Sequence, residues 1–340
     1  MKTPDHNIVS FIKDLQKDKA KNVIVIPHIN PDGDAIGSSM ALYHFFSKTN
    51  PTNVIAPSSF PEFLKWMPNS DDVFNYKEEK EECNVLISKA DLIVIADHNA
   101  PNRSGEAEEA IINSNAKILM IDHHPEPSYP RDYSISSIEV SSTAELVFNF
   151  ISTINPASID TDMAAAMYVG IMTDTGNFMH NVHPDTFKIV SELTSKGINR
   201  DGIYNKVFNN YSVDRMRLLG FALGERMDIL EDLGVAIMHL EKTTLEQFNY
   251  QIGDTEGFVN MPLAIKGISA SILVMERNEE IKMSFRSKGN VAINIIAKKY
   301  FKGGGHKNAA GGTSNEESVF ETVVKLKEIL KKESQLLLEQ

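Results

Sequence analysis

Three short apolar runs, each ending in acidic or imidazole side chains, constrain this chain more than any other feature. Val23-Ile-Val-Ile26 runs through Pro27 to His28, with Asp32 and Asp34 close behind. Asp91-Leu-Ile-Val-Ile-Ala96 runs into Asp97-His98, and Ala116-Lys-Ile-Leu-Met-Ile121 into Asp122-His123-His124. Unbroken runs rich in β-branched residues predict strands buried on both faces, which means a parallel sheet covered by helices. After the first run, Ile36, Met40, Tyr43 and Phe46 recur at helical spacing. Open sheets of this kind place ligands beyond the carboxyl ends of their strands. A fourth apolar segment, Ala164 to Gly170, leads to Asp174-Thr-Gly176. Carboxylates and imidazoles that follow separate apolar segments can converge on one sheet edge, and hard oxygen and nitrogen donors suit Mn, Mg or a similar divalent ion. The plainer reading of the first turn alone is a solvated loop with Asp34 capping a helix.

With 340 residues, the chain predicts two domains. Residues 1–22 read as one amphipathic helix with Ile8, Phe11, Ile12 and Leu15 on its buried stripe. Asn53-Val-Ile-Ala56 is a second strand, and Trp66 in the turn-rich stretch after it reads as core. Ser142-Thr-Ala-Glu145 has the pattern of a capping box, read mainly as structure, although a Ser/Thr helix start can also hold phosphate. Asp185 to about Arg226 is helical, interrupted near Gly197 and Asn210-Tyr211, and makes a semi-rigid connection. Strands then follow at 234–240, 269–275 and 280–286, the last two joined through Glu276-Arg-Asn-Glu279 as a hairpin. Helices at about 291–300 and 316–333 flank a glycine-rich loop, Lys302 to Gly312. The expected boundaries are 1–188 for a doubly wound α/β domain, 189–226 for a helical linker and 227–340 for a smaller α+β domain.

Composition bounds the partners. The formal charge is −12, which argues against a long nucleic-acid clamp, since such clamps draw on many Lys and Arg contacts to phosphate. A small anion held at a local basic pocket remains compatible with it. Cys83 is the single cysteine, so neither an intrachain disulfide nor a cysteine metal cluster can form. No apolar run approaches membrane-span length, and the polar N-terminus lacks a signal-peptide core. The expectation is a cytoplasmic protein with no membrane partner.

The ordered set His28-x-x-x-Asp32-x-Asp34, Asp97, Asp122-His123-His124 and Asp174 resembles the motifs of the DHH phosphoesterase superfamily. Gly303-Gly-Gly-His306-Lys-Asn-Ala-Ala-Gly-Gly312 resembles the signature of the DHHA1 domain that often follows it, so the resemblance spans nearly the whole chain. It implies two divalent cations, Mn²⁺ in the first place with Mg²⁺ or Co²⁺ as alternatives. His28, Asp32 and Asp97 would hold one ion and Asp34, Asp97, His123 and Asp174 the other, with Asp97 as the bridge and an in-line hydroxide between them. The remaining roles are expectations of chemistry and of the same resemblance. His124 serves the substrate as a proton or hydrogen-bond donor, and Asp122 orients the His pair. Arg103 holds phosphate bidentately. Arg286, His306 and the amides near Gly304 and Gly305 grip the far end of a nucleotide. His98, Asn99, His180 and His183 lie beside motifs and read as solvated or structural.

Among functions, the resemblance favours the nanoRNase/pAp-phosphatase type, a hydrolase of short oligonucleotides and of 3′-phosphoadenosine 5′-phosphate (pAp). A phosphodiesterase acting on cyclic di-AMP or its linear product pApA is the alternative. RecJ-type exonuclease and exopolyphosphatase stand behind it, and a non-catalytic nucleotide-binding protein last, because every expected ligand position carries a suitable residue. Expected partners are short RNA, mononucleotides or dinucleotides, with a homodimer left open. Met179, in the run Thr-Gly-Asn-Phe-Met-His, departs from the more polar residue of many relatives and puts substrate preference near that loop in question.

Overall fold

The computed structural model describes residues 3–277 and 280–338, which form two compact units, Met1–Asn210 and Tyr211–Gln340. In the first, the strands are β1 (Val23–Ile26), β2 (Thr52–Ala56), β3 (Phe74–Asn75), β4 (Leu92–Ala96), β5 (Lys117–Asp122) and β6 (Tyr133–Ser136). They pair in the order β3-β2-β1-β4-β5-β6, all parallel. The alternation hidden within the apolar runs now has a cause. Val23, Val25, Val94 and Leu119 face one hydrophobic core, while Ile24, Ile26, Ile93, Ile95 and Met120 face a second core on the other side. The order reverses between β1 and β4, so the adjacent carboxyl ends of these strands open a crevice where a site is expected.

Eight helices belong to this unit among the described residues: α1 (His6–Lys17), α2 (Gly33–Phe46), α3 (Lys80–Ser88), α4 (Glu108–Ile112), α5 (Thr143–Ile154), α6 (Thr161–Asp174), α7 (Pro184–Ser195) and α8 (Arg200–Phe208). Glycine lets α2 and α6 approach closely. A Cβ on Gly37 would lie 2.4 Å from the Ala166 carbonyl, and one on Gly170 would lie 2.7 Å from both Asp34 Oδ1 and Ala144 Cβ. The apolar segment before Asp174 is the interior of α6, buried on nearly every side. Continuous apolarity therefore reports burial there and not a strand. Trp66 is partly buried against the core of this unit, with Lys206 Nζ 4.4 Å from its ring centre.

The second unit carries a mixed sheet. Its strands are β7 (Met227–Leu230), β8 (Val235–Leu240), β9 (Ala270–Arg277), β10 (Glu280–Ser287), β11 (Gly304–His306) and β12 (Ala309–Ser314). Their order is β11-β12-β10-β9-β8-β7. Its helices are α9 (Val213–Glu225), α10 (Lys242–Gln247), α11 (Asn294–Tyr300), α12 (Val319–Lys332) and α13 (Ser334–Leu338). β9 and β10 pair antiparallel from Ala270↔Ser287 to Arg277↔Glu280. Of the turn expected at Glu276–Glu279, Asn278 and Glu279 lie outside the described residues. The stretch expected as a glycine-rich loop is instead largely strand, β11 paired with β12. Its glycines admit neighbouring backbone that no side chain would: a Cβ at Gly305 would sit 2.5 Å from the Ala309 carbonyl oxygen. Register places His306 opposite Ala309 and Ala309 opposite Arg286. Residues 189–226 are shared between the units, with α8 in the first and α9 in the second.

Candidate metal centre

The carboxyl ends of β1, β4 and β5 and the ends of two helices supply the site. His28 follows β1, and its Nδ1 donates to the Ile29 carbonyl at 2.9 Å, which turns Nε2 toward the crevice. Asp32 is the N-cap of α2. Its Oδ1 accepts from the amides of Asp34 (3.0 Å) and Ala35 (3.1 Å), leaving Oδ2 3.7 Å from His28 Nε2. Capping and site chemistry thus use different oxygens of one carboxylate.

Asp97 follows β4 with a left-handed backbone, φ 62°, which a non-glycine residue adopts at a cost. Its buried carboxylate divides its oxygens. Oδ2 lies 3.5 Å from His28 Nε2, while Oδ1 lies 3.6 Å from His123 Nε2 and accepts from Thr143 Oγ1 at 2.8 Å. His123 Nε2 in turn lies 3.5 Å from Asp174 Oδ2 and 4.0 Å from Asp34 Oδ2. Two donor sets result, His28 with Asp32 and Asp97, and Asp34 with His123 and Asp174, the donor atoms of each set within 4.8 Å of one another.

Two ligands each about 2.1 Å from a cation stand roughly 3.0–3.5 Å apart; the observed spacings of 3.5–4.0 Å are longer than hydrogen bonds and at or just beyond that range, so a bound ion would draw the donors slightly together. The chemistry of the donor set agrees: imidazole nitrogens and carboxylate oxygens only, with His28, Asp34, Asp97 and His123 buried and Asp32 and Asp174 open to solvent. Such crowding is hard to sustain without cations. Burial raises the Asp34 carboxyl well above its ordinary value, and the neighbouring charges of Asp97, Asp174 and Asp32 raise it further. Burial opposes a charge on His28, yet Asp32 and Asp97 outweigh it and raise the imidazole to about 10. For His123, too, burial is outweighed, here by Asp174, Asp97 and Asp122. A divalent ion in place of these protons would satisfy the same carboxylates.

His124 sits beside the donor sets. Its Nδ1 meets Asp122 Oδ1 at 2.8 Å, and its backbone amide donates to Asp122 Oδ2 at 3.1 Å. Asp122 is fully buried, and burial together with the Asp97 charge pushes its carboxyl up to about 7. Arg103 is half-buried in the 3₁₀ segment after β4. Its charge reaches the site, lowering His28, Asp32 and Asp122 alike.

Of the residues expected beside motifs, His98 is structural. Its Nδ1 donates to the Ala96 carbonyl at 3.1 Å, so Nε2 accepts from Ser104 Oγ at 3.0 Å. Burial holds its pKa well below the ordinary value. His180 is exposed and His183 half-buried. Thr143 and Ala144 went unrecognised as site residues in the sequence. Ser142 does cap α5, accepting from the Glu145 amide at 3.4 Å. The next two amides, however, bind Asp34, Thr143 N at 2.6 Å to Oδ2 and Ala144 N at 2.9 Å to Oδ1. The positive end of α5 therefore holds a carboxylate of the centre. The Ser-Thr-Ala-Glu run carried that signal, but capping alone explained it.

Comparison with known proteins adds to this geometry. The model of the DHH family, N-terminal domain, matches residues 22–171, and that of the DHHA1 domain matches residues 234–332. The crystal structure of an exopolyphosphatase-related protein from Bacteroides fragilis superposes with a TM-score of 0.93 at 41% identity, covering 100% of both chains. The bifunctional oligoribonuclease and PAP phosphatase NrnA of Bacillus subtilis is 28% identical over 295 residues, 86% of this chain and 88% of that one. The cyclic-di-AMP phosphodiesterase GdpP of the same organism is 28% identical over 325 residues, and this chain spans 47% of its length.

Proposed function

Because the chain belongs to the DHH family and carries a DHHA1 domain, we propose that it is a metal-dependent phosphoesterase that hydrolyses short oligonucleotides and pAp. The observation that carries the reading is Asp97, whose Oδ2 lies 3.5 Å from His28 Nε2 and whose Oδ1 lies 3.6 Å from His123 Nε2, so that one carboxylate would serve both donor sets. In this reading His28, Asp32 and Asp97 would hold one ion, and Asp34, Asp97, His123 and Asp174 the other. Two divalent ions bound there, Mn²⁺ first among them, would supply activation of water at neutral pH and offset the charge of the phosphoryl group.

The remaining steps belong to the chain. Arg103 orients the phosphate by a two-pronged contact with its oxygens. His124, held at Nδ1 by Asp122, presents Nε2 to the leaving oxygen. As the new P–O bond forms and the old one breaks, the proton on Nε2 passes to that oxygen. Arg286, His306 and the amides of Gly304 and Gly305 bind the portion of the nucleotide away from the scissile bond. Their support is the register of β10, β12 and β11, which sets Arg286 and His306 on either side of Ala309.

A second reading, cleavage of cyclic di-AMP or pApA, is supported by the similarity to GdpP. A time course with Mn²⁺ on pAp, pApA, cyclic di-AMP, polyphosphate and RNAs of 2 to 20 nucleotides separates the readings. Fast release of mononucleotides from the shortest RNAs, and of AMP from pAp, is expected. Turnover of polyphosphate alone would overturn the proposal.

A further inference from the structure

The phosphoesterase reading gives His124 a proton to deliver but leaves open what keeps its loop in place. Asp122 fixes the ring from the front. Behind it the chain runs through Pro125, Glu126, Pro127, Ser128 and Tyr129, turning sharply where Glu126 takes φ 53°. One residue of another strand end grips this loop at both ends. Asn99 Nδ2 donates to the Pro125 carbonyl at 2.6 Å. The Asn99 carbonyl accepts from the amides of Ser128 (2.7 Å) and Tyr129 (3.0 Å).

We propose that Asn99 is a positioning residue for His124, fixing through the Pro125 carbonyl the backbone from which the His124 ring projects; the proposal rests on the reading of His124 as proton donor. Asn99 stands two residues from Asp97, so the clamp ties the loop of the proton donor to the loop of the bridging carboxylate. A second tie lies beneath it. Since the His98 imidazole accepts at Nε2, the hydroxyl chain has one direction: Tyr129 Oη–H donates to Ser104 Oγ at 3.0 Å, and Ser104 donates to His98. Ser104 follows Arg103, whose carbonyl accepts from the Ile29 amide at 2.7 Å. The loops bearing His28, Asp97, Arg103 and His124 are thereby stitched into one frame. Within it the Asn99 side chain bonds to Pro125, the residue directly after His124.

The test uses the full chain with Mn²⁺ and phosphodiesters whose leaving groups range from p-nitrophenol to simple alcohols. Asn99→Ala should lower kcat by about 10- to 100-fold on the poorest leaving groups and by only a few-fold on p-nitrophenol, the signature of a displaced general acid. His124→Ala should show the same steepened dependence, and the double variant should lose no more than about threefold beyond His124→Ala. Asn99→Asp, isosteric but without the donor, should behave as Asn99→Ala and serves if the alanine variant does not fold. Independently of turnover, ¹⁵N-histidine NMR with Mg²⁺ should show the His124 ring signals shifted in either variant, with Mn²⁺ uptake as in the wild type. Unshifted His124 signals, or losses that multiply in the double variant, would overturn the proposal. A wild-type chain inactive on every ester would instead sink the phosphoesterase reading, while the NMR comparison would still decide whether Asn99 positions His124.

Discussion

At the scale of single residues, Asp97 concentrates the chemistry. Its left-handed backbone is strain held by the surrounding hydrogen bonds, among them its own amide donating to the Ile121 carbonyl at 2.9 Å. That backbone lets one carboxylate address both donor sets. Asp97→Asn should therefore reduce turnover by more than about 100-fold and weaken Mn²⁺ uptake at both positions. His28→Ala touches one set only and should regain part of its activity in excess Mn²⁺. Calorimetric titration with Mn²⁺ beside steady-state kinetics checks both. The metal-free protein should also reveal the crowded charges. His28 is raised to about 10 and Asp122 to about 7, and a group raised in the folded state lends stability below its ordinary pKa and loses it as pH climbs to the folded value. Asp34 and His123 carry the same sign. Asp32 and His98 are lowered, so their contributions are complete above pH 6.5 and add no slope there. The Tm of EDTA-stripped protein should consequently fall between pH 6.5 and 10, and saturating Mn²⁺ should flatten that fall. A stripped protein whose Tm rises across this window would contradict the account.

At the scale of elements, the close crossing of α2 and α6 brings Asp34, in the first turn of one helix, to Asp174 in the last turn of the other. Gly170→Ala would drive a methyl to 2.7 Å from Asp34 Oδ1. We expect about 1–3 kcal/mol of destabilisation from overpacking, together with weakened Mn²⁺ binding at the Asp34 set. Gly220→Ala in α9, with open space around it, should instead be neutral or stabilising by up to about 1 kcal/mol. Thermal melts and Mn²⁺ titrations of the two variants distinguish a specific crossing from a general dislike of alanine. This is also where the sequence was legible and where it was not. β1, β4 and β5 could be read because uniform apolarity, β-branching and a polar terminus coincide in each. α6 could not be typed from its residues, since burial on all sides erases helical periodicity. β3 is only Phe74–Asn75, too short for any pattern. β11 and β12 read as loop because glycine suppresses strand character, although the absence of side chains is what lets those strands lie so close to neighbouring backbone. Thr143 was hidden for another reason: an N-terminal cap fully accounts for its surroundings in sequence, and its partner Asp34 lies far away along the chain.

At the scale of the whole molecule, a net charge of −12 disfavours binding along a long polyanion. Dinucleotides should be cleaved faster than 20-nucleotide RNA at equal concentration, and the salt dependence should be shallower than for a nuclease that tracks a polymer. Processive digestion of long single strands would contradict this. The proposed role of Arg286 and His306 predicts a further contrast. Arg286→Ala and His306→Ala should each lower kcat/KM on pAp or dinucleotides by roughly 10- to 100-fold, through lost orientation. Bis-p-nitrophenyl phosphate, with little beyond its reacting centre to grip, should be far less affected, and equal losses on both would make β11 and β12 a structural support. The parallel order β3-β2-β1-β4-β5-β6 has one more consequence, and it concerns time. His28, Asp32 and Asp34 leave the ribosome first, Asp97 follows only after β2 and β3, His123 after β4, and Asp174 closes the set at the end of α6. A nascent chain that has reached β5 already carries most of the donors but neither the helix that neutralises Asp34 nor the last carboxylate. The donor sets can be completed only once the whole of α6 has emerged, so a nascent chain that stops short of Asp174 cannot assemble the second of them.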